Sequence, residues 1–475
     1  MRIYQSSRLL FAFAIAWLTF NHLASAQLIS SQNNTFNSTA TITGDQSELA
    51  GINGTIADNV AVALNFERSN YAHGPAAEDD FYHVPINAST APAGALLKVE
   101  ESVNASLYTL PPNTALSRIL FQTKNLNGSL VPASAFVLWP YLPRGQPDGF
   151  PVVGWAHGTS GVFGNCAPSN VRNLWYQFSA PYTLALQGYV VVAPDYAGLG
   201  VNSDATGAPI PHQYLANPAQ ANDLFYSVQA AQSAFDVLSK QFVLMGHSQG
   251  GGAAWAAAQR QAVDPVDGYL GSIAGSPLTS FLELEVAGPV FDSLAFLAAP
   301  GLSSVFPEFQ LADFLLPAGQ GRLALASEIQ GCQSVTSVLF GSGLAQPEWS
   351  QSVYAKALDK LVLNGGREIG GPMLVIQGED DPLIPFPVTT SAVDKTCDLY
   401  SESQLEYVTF AGVTHVPVMY AAQRTWLRWI EDRFAGCAAP QGCHRSNFTS
   451  ARPYQHYQAD ANWFLEFATQ AYEIA

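Results

Sequence analysis

Positive charge is scarce in this chain. Lysine and arginine number 20 against 37 aspartates and glutamates, a net charge of −17, and the pI is near 4.8. Such a surface repels polyanions, so neither nucleic acid nor an anionic membrane is expected as a partner. Charged residues make up only 12% of the chain and hydrophobic ones 48%, a balance that excludes wholesale disorder and predicts a large core. The five cysteines, Cys166, Cys332, Cys397, Cys437 and Cys443, include no C-x-x-C pair, and H-E-x-x-H is missing. Without those spacings no zinc site, and no metal, is expected. Beyond residue 26 no segment reaches the ~20 uncharged apolar residues of a membrane span. Internal repeats and low-complexity tracts are also absent.

What is present begins at the N-terminus. "MRIYQSSRLLFAFAIAWLTFNHLASA" has arginines at 2 and 8, an apolar run from Leu9 to Phe20, and Ala24-Ser25-Ala26 at its end. That pattern predicts a signal peptide, residues 1–26, cut after Ala26, and hence a secreted, extracellular protein. N-x-S/T sequons at Asn33, Asn37, Asn53, Asn87, Asn104, Asn127 and Asn447 predict a glycoprotein. In an oxidising compartment, five cysteines imply two disulfides and one leftover thiol.

A polar, sequon-rich stretch to about residue 90 reads as an extended or loosely ordered arm. "SRILFQT" (117–123) and "ASAFVLWP" (133–140) then read as strands around the turn signal "NLNGS". "FPVVGWAHG" (150–158) and "GYVVVAPDYAGLG" (188–200) are further strands ending in glycine-rich loops. Between them "SNVRNLWYQFSAPYTLALQ" has apolar residues at helical spacing. "NPAQANDLFYSVQAAQSAFDVL" (217–238) predicts a helix with Asn217 as N-cap and Pro218 in its first position. "QFVLMG", a helix from Ser248 to Arg260, and "GYLGSIAGSP" continue the alternation. "GPMLVIQGEDDPLIP", "SQLEYVTFAGVTH" and the amphipathic "VPVMYAAQRTWLRWIEDRF" resume it after 371. Strands alternating with helices predict an α/β protein, a mostly parallel sheet covered on both faces. Residues 280–368 interrupt that rhythm with phenylalanine- and leucine-rich helical pieces, as a cap over a site would.

The chemistry centres on "GHSQGG". A serine between glycines at a strand-to-helix junction predicts a nucleophile elbow, with Ser248 as nucleophile. Serine needs a histidine to take its proton and a carboxylate to hold that histidine. In doubly wound hydrolases the two follow the serine at the ends of later strands, acid before histidine. Of the histidines after Ser248, His444 and His456 lie in the tail, whereas His415 directly follows the strand "LEYVTF". "GEDDPLIP" offers Glu379, Asp380 and Asp381 after the preceding strand, and Asp381 has the G-x-x-D-x-x-[VI]-P spacing. An oxyanion needs two backbone N–H groups. The amide of Gln249, at the helix start, supplies one, and Thr159 in "GWAHGTSG", flanked by Gly158, the other.

With these pieces in order, the chain resembles the secretory lipase family of α/β-hydrolases, the group containing fungal lipase A-type enzymes. The resemblance rests on "WAHGTSG…NCAPS", "LALQGYVVVAPDYAGLG", "GHSQGGGAAW", "GEDDPLIP" and "GVTHVPVM", spanning about 150–435. It implies an α/β-hydrolase core over 111–279 and 369–436, with a helical lid inserted at 280–368. Outside these lie a glycosylated extension, 27–110, and a tail, 437–475, packed on the core. It also implies a Cys166–Cys332 disulfide tying the oxyanion loop to the lid, and Cys397 bonded to Cys437 or Cys443. A fifth cysteine departs from the family's four, and the first 110 residues lie outside the resemblance.

The resulting expectation is a serine hydrolase, a lipase or esterase of lipid degradation, working without cofactor and as a monomer in transient contact with a lipid interface. Phe281, Phe291, Phe296, Phe306, Phe309 and Phe314 are expected to wall an acyl pocket. Two readings compete: an esterase or deacetylase specialised for a secondary metabolite, and a catalytically inactive hydrolase fold used for binding.

Overall fold

The computed structural model describes residues 39–458 apart from 146, 287–290, 342 and 363. The expected signal peptide and the sequons at Asn33 and Asn37 lie outside the described residues, as do the side chains of Asn87 and Phe291.

Among the described residues the sheet has ten strands in the order β1-β2-β3-β5-β4-β6-β7-β8-β9-β10. These are β1 (Leu96–Glu100), β2 (Ala115–Lys124), β3 (Leu130–Trp139), β4 (Phe150–Ala156) and β5 (Val190–Pro194). They continue as β6 (Leu238–His247), β7 (Tyr269–Gly275), β8 (Met373–Gly378), β9 (Leu405–Phe410) and β10 (Cys443–Phe448). Pairing is antiparallel among β1, β2, β3 and β5 and parallel from β5 through β10. This is the mostly parallel, helix-covered sheet of an α/β-hydrolase fold. β4, β5 and β6 are buried along nearly their whole length, as central parallel strands require, which is why they read as continuous aliphatic runs. β1 and β10 carry the sheet into both segments expected to flank the core.

Several local expectations are corrected. Residues 39–90 are not an extended arm, because Gly44–Leu49 and Gly54–Ser69 are helices. Asn53, a sequon, caps the second with its side-chain oxygen on the Ile56 N–H. That helix is not a solvated one either: Val60, Ala63 and Leu64 are buried against Leu325, Ala326, Val335 and Leu339. Residues 171–180 contain no α-helix. The helix there is only Pro181–Leu186, and Leu174, Trp175 and Gln177 take positive φ. The helix Asn217–Ala234 has Ala216, not Asn217, as its cap. The Asn217 amide instead donates to the Val362 carbonyl.

Disulfides join Cys166 to Cys332 and Cys397 to Cys443, leaving Cys437 an exposed free thiol. The alternative Cys397–Cys437 pairing is thereby set aside, because β10 runs beside β9 and brings Cys443 to the helix Phe386–Leu399. Peptide mapping without reduction should return these two links, with Cys437 alone alkylated in the native protein. A Cys332–Cys437 peptide would contradict the arrangement.

Glu67 ties the N-terminal helix to the insertion. Its two carboxyl oxygens accept the Cys332 and Val335 N–H groups at 2.8 Å each, at the start of helix Gln333–Leu339. Burial pushes its carboxyl up to about 7, against those donors. A raised acid holds its proton in the folded state where the unfolded chain has lost it, so its contribution to stability declines between about pH 4.5 and 7. Buried His157, His212 and His247 are depressed and slope the opposite way. The test is therefore a difference. As pH rises through that window, the melting temperature of Glu67→Gln should gain on that of the wild type, and a pH-independent difference would contradict the burial of this acid.

Candidate active site

β6 ends at His247 and the helix Gln249–Val263 begins two residues later. Ser248 between them takes φ 60° and ψ −121°, a conformation costing an L-residue about 1–3 kcal/mol and persisting only where the surroundings impose it. Those surroundings are visible. The Ser248 N–H donates to the Gly275 carbonyl, and its carbonyl accepts from Gly252 and Leu278. The flanking glycines answer a steric need. A Cβ on Gly246 would lie 2.1 Å from the Gly250 oxygen, and one on Gly250 would lie 2.0 Å from the Ala156 oxygen. Ser248 is half-buried, at the positive end of a helix whose first N–H groups lack intrahelical partners.

Asp381 follows β8. Its Oδ2 accepts the His415 Nδ1–H at 2.7 Å and Gln377 Nε2 at 3.2 Å, while Oδ1 accepts the Leu383 and Ile384 N–H groups at 2.9 Å. Burial alone would raise this carboxyl, but the charge and hydrogen bond of His415, with the two backbone donors, hold it below the usual carboxylate range. The other two acids face elsewhere. Asp380 is exposed, and Glu379 accepts from Thr409 and Asn447. His415 is buried in the loop after β9, its ring 4.5 Å from that of His247, the neighbour of Ser248. His444 lies exposed on β10 and His456 in the exposed tail. β6, β8 and β9 are parallel, so their C-terminal ends carry Ser248, Asp381 and His415 to one edge of the sheet.

The two expected oxyanion residues lie at that edge as well. Thr159 follows β4, and its Oγ1 pairs with the Tyr214 hydroxyl at 2.8 Å. Gln249 is buried, its side-chain amide 3.4 Å from His212 Nε2. His212 Nδ1–H donates to the Ala197 carbonyl at 2.9 Å, which leaves Nε2 to accept from Gln249. Burial depresses this imidazole to about 4, with the nearby His157 adding to the effect.

Sequence reasoning missed Tyr176, His212, Tyr214 and His247, all of which touch these loops. His247 sat inside "GHSQG" and could have been noticed. Tyr176 carried no signal. Among the described residues, the phenylalanines of the insertion share one apolar cluster. Phe281, Phe296, Phe309 and Phe314 are buried in one cluster with Leu302 and Trp349, with Phe306 packed against it. They knit the insertion together and to the body. The same cluster ends in Tyr214, Leu278 and Ile384, which are bonded to Thr159, Ser248 and Asp381 respectively.

Among the described residues no group of His, Cys, Asp or Glu could hold a metal ion, and no helix is long and apolar enough to cross a membrane.

The secretory lipase family model matches residues 176–442, more than half of the chain. The chain belongs to the secretory lipase family. Among curated relatives, lipase 2 of Candida albicans is 26% identical over 419 residues, covering 79% of this chain and 85% of that protein. Lipase 10 of the same yeast is 24% identical, covering 78% and 84%. Among solved structures, Candida antarctica lipase A in its closed state superposes with a TM-score of 0.63 at 17% identity, covering 78% of this chain and 88% of that one. The rice cell wall degrading esterase LipA from Xanthomonas oryzae superposes at 0.54 and 18% identity, covering 73% and 99%. At such identities these two establish the secretory lipase's fold alone.

Proposed function

We propose that this secretory lipase is an extracellular serine hydrolase that cleaves carboxylic esters of lipids through Ser248, His415 and Asp381. The observation that carries the reading is the buried His415–Asp381 hydrogen bond, 2.7 Å long, beside a serine held in a strained elbow. In the reaction Ser248 Oγ attacks the ester carbonyl as His415 Nε2 takes its proton. Asp381 keeps Nδ1 protonated and stabilises the imidazolium that forms. The backbone amides of Gln249 and Thr159 hold the oxyanion, as fixed donors that stabilise the developing charge. His415 returns the proton to the leaving alcohol, then activates the water that releases the acid and frees Ser248. No metal or organic cofactor enters any step. The insertion 280–368 acts as the lid, since its apolar core reaches the nucleophile, acid and oxyanion loops through Leu278, Ile384 and Tyr214.

An apolar cover predicts the substrate. Each CH₂ of an acyl chain taken out of water gains about 0.8 kcal/mol. With nitrophenyl esters from acetate to palmitate, kcat/KM should rise with chain length and then level off once the pocket is full. Triglyceride emulsions should be hydrolysed, and Ser248→Ala should be inert on both. A series falling steadily from acetate upward would overturn the lipase reading and favour the specialised deacetylase.

A further inference from the structure

The strained segment at 174–177 takes no direct part in the reaction. Leu174, Trp175 and Gln177 adopt φ of 54°, 69° and 43°, an unfavourable run for non-glycine residues. Between them Tyr176 keeps an ordinary φ of −97° and points its ring at the site, edge-on to Trp155 at 5.4 Å. Its hydroxyl accepts the Gly158 N–H and donates to His247 Nδ1 at 2.8 Å. His247 in turn donates Nε2–H to the His415 carbonyl at 3.0 Å. The contact with Gly158 is so close that a Cβ there would lie 2.0 Å from the phenol oxygen. This is a second reason for the glycine in "HGT".

We propose that Tyr176 and His247 are positioning residues that lock the oxyanion loop, the elbow and the His415 loop into one hydrogen-bonded unit. This rests on the serine hydrolase reading above and assigns the pair a part in it. The donors and acceptors match only one arrangement. The His415 carbonyl cannot donate, so His247 carries its proton on Nε2 and must accept at Nδ1, where only the phenol hydrogen is offered. Burial, with the neighbouring His415, pushes the His247 imidazole down to about 3. It therefore stays neutral when His415 becomes an imidazolium 4.5 Å away and does not compete for the Asp381 charge. The backbone of the base is thus fixed on one side by His247 while its ring is fixed on the other by Asp381. Strain in 174–177 is the cost of bringing the phenol there.

The test uses the full chain and begins by labelling wild-type protein with a fluorophosphonate. If Ser248 of the wild type is not labelled, the hydrolase reading itself has failed. If it is labelled, Tyr176→Phe, which keeps the ring and loses the hydroxyl, should lower kcat by about 10- to 100-fold with KM within about twofold. The low-field NMR signal of the His415 Nδ1 proton should move or broaden. His247→Phe should lose as much, and the double variant no more than either single one, because all three break the same chain of bonds. His247→Gln, which keeps a donor for the His415 carbonyl, should recover part of the loss. A kcat within about twofold of wild type in Tyr176→Phe would overturn the proposal. So would a fall in kcat with an unmoved His415 signal, or additive losses in the double variant. If Tyr176→Phe does not fold, the comparison of His247→Gln with His247→Phe decides on the same readings.

Discussion

Ser248→Ala and His415→Ala are each expected to lower ester turnover by about 10⁴-fold or more while the protein still folds. The size follows from the roles. Without the serine there is no covalent intermediate, and without the histidine the hydroxyl keeps its proton. Neither loss should grow when the two are combined, since the residues act as one unit. The stability of Ser248→Ala should barely change, because Ser248 is held through its backbone, by Gly275, Gly252 and Leu278, and alanine keeps those bonds. His415→Ala should melt lower, because it leaves the buried Asp381 without its partner. Turnover of nitrophenyl esters beside thermal melts checks both parts. A variant that is inactive because it is unfolded would say nothing about chemistry, and the melt detects it.

The second large effect separates adjacent carboxylates. Asp381→Asn should cost about 10³- to 10⁴-fold in kcat, because an amide at that position can donate to His415 Nδ1 and favour the wrong tautomer. Asp380→Asn should stay within about threefold, as an exposed side chain with no part in the His415 contact. Since Asp381 is held below the usual carboxylate range, lowering the pH to about 5 should not remove its charge. Should Asp380→Asn be the more damaging, the acid has been wrongly assigned.

The strands and the three candidate catalytic positions were legible in the sequence for one physical reason. Central parallel strands must be aliphatic throughout, and the residues following them must turn sharply, so "QFVLMGHSQGG", "MLVIQGEDD" and "LEYVTFAGVTH" announce both strand and site. Tertiary contacts overrode local pattern elsewhere. Apolar spacing in 171–180 suggested a helix, yet the packing of Leu174 and the bonding of Tyr176 hold that backbone at positive φ. Asn53 and Asn217 show the ambiguity of asparagine. Asn53 stands in a sequon and also caps a helix, whereas Asn217 has the sequence setting of a cap and instead reaches the Val362 carbonyl. The phenylalanine-rich composition of the insertion announced an apolar cluster, but composition alone does not name the partners. Their partners include one another and Trp349.

The central claim is that Ser248 is a nucleophile activated by His415. Incubation with a fluorophosphonate, followed by intact-mass and peptide analysis, tests it most directly. The account predicts stoichiometric labelling on the peptide containing Ser248, abolished in Ser248→Ala and slowed by about 10³-fold or more in His415→Ala. Folded wild-type protein that takes no label, or takes it on another residue, would contradict the claim and leave a hydrolase fold used for binding.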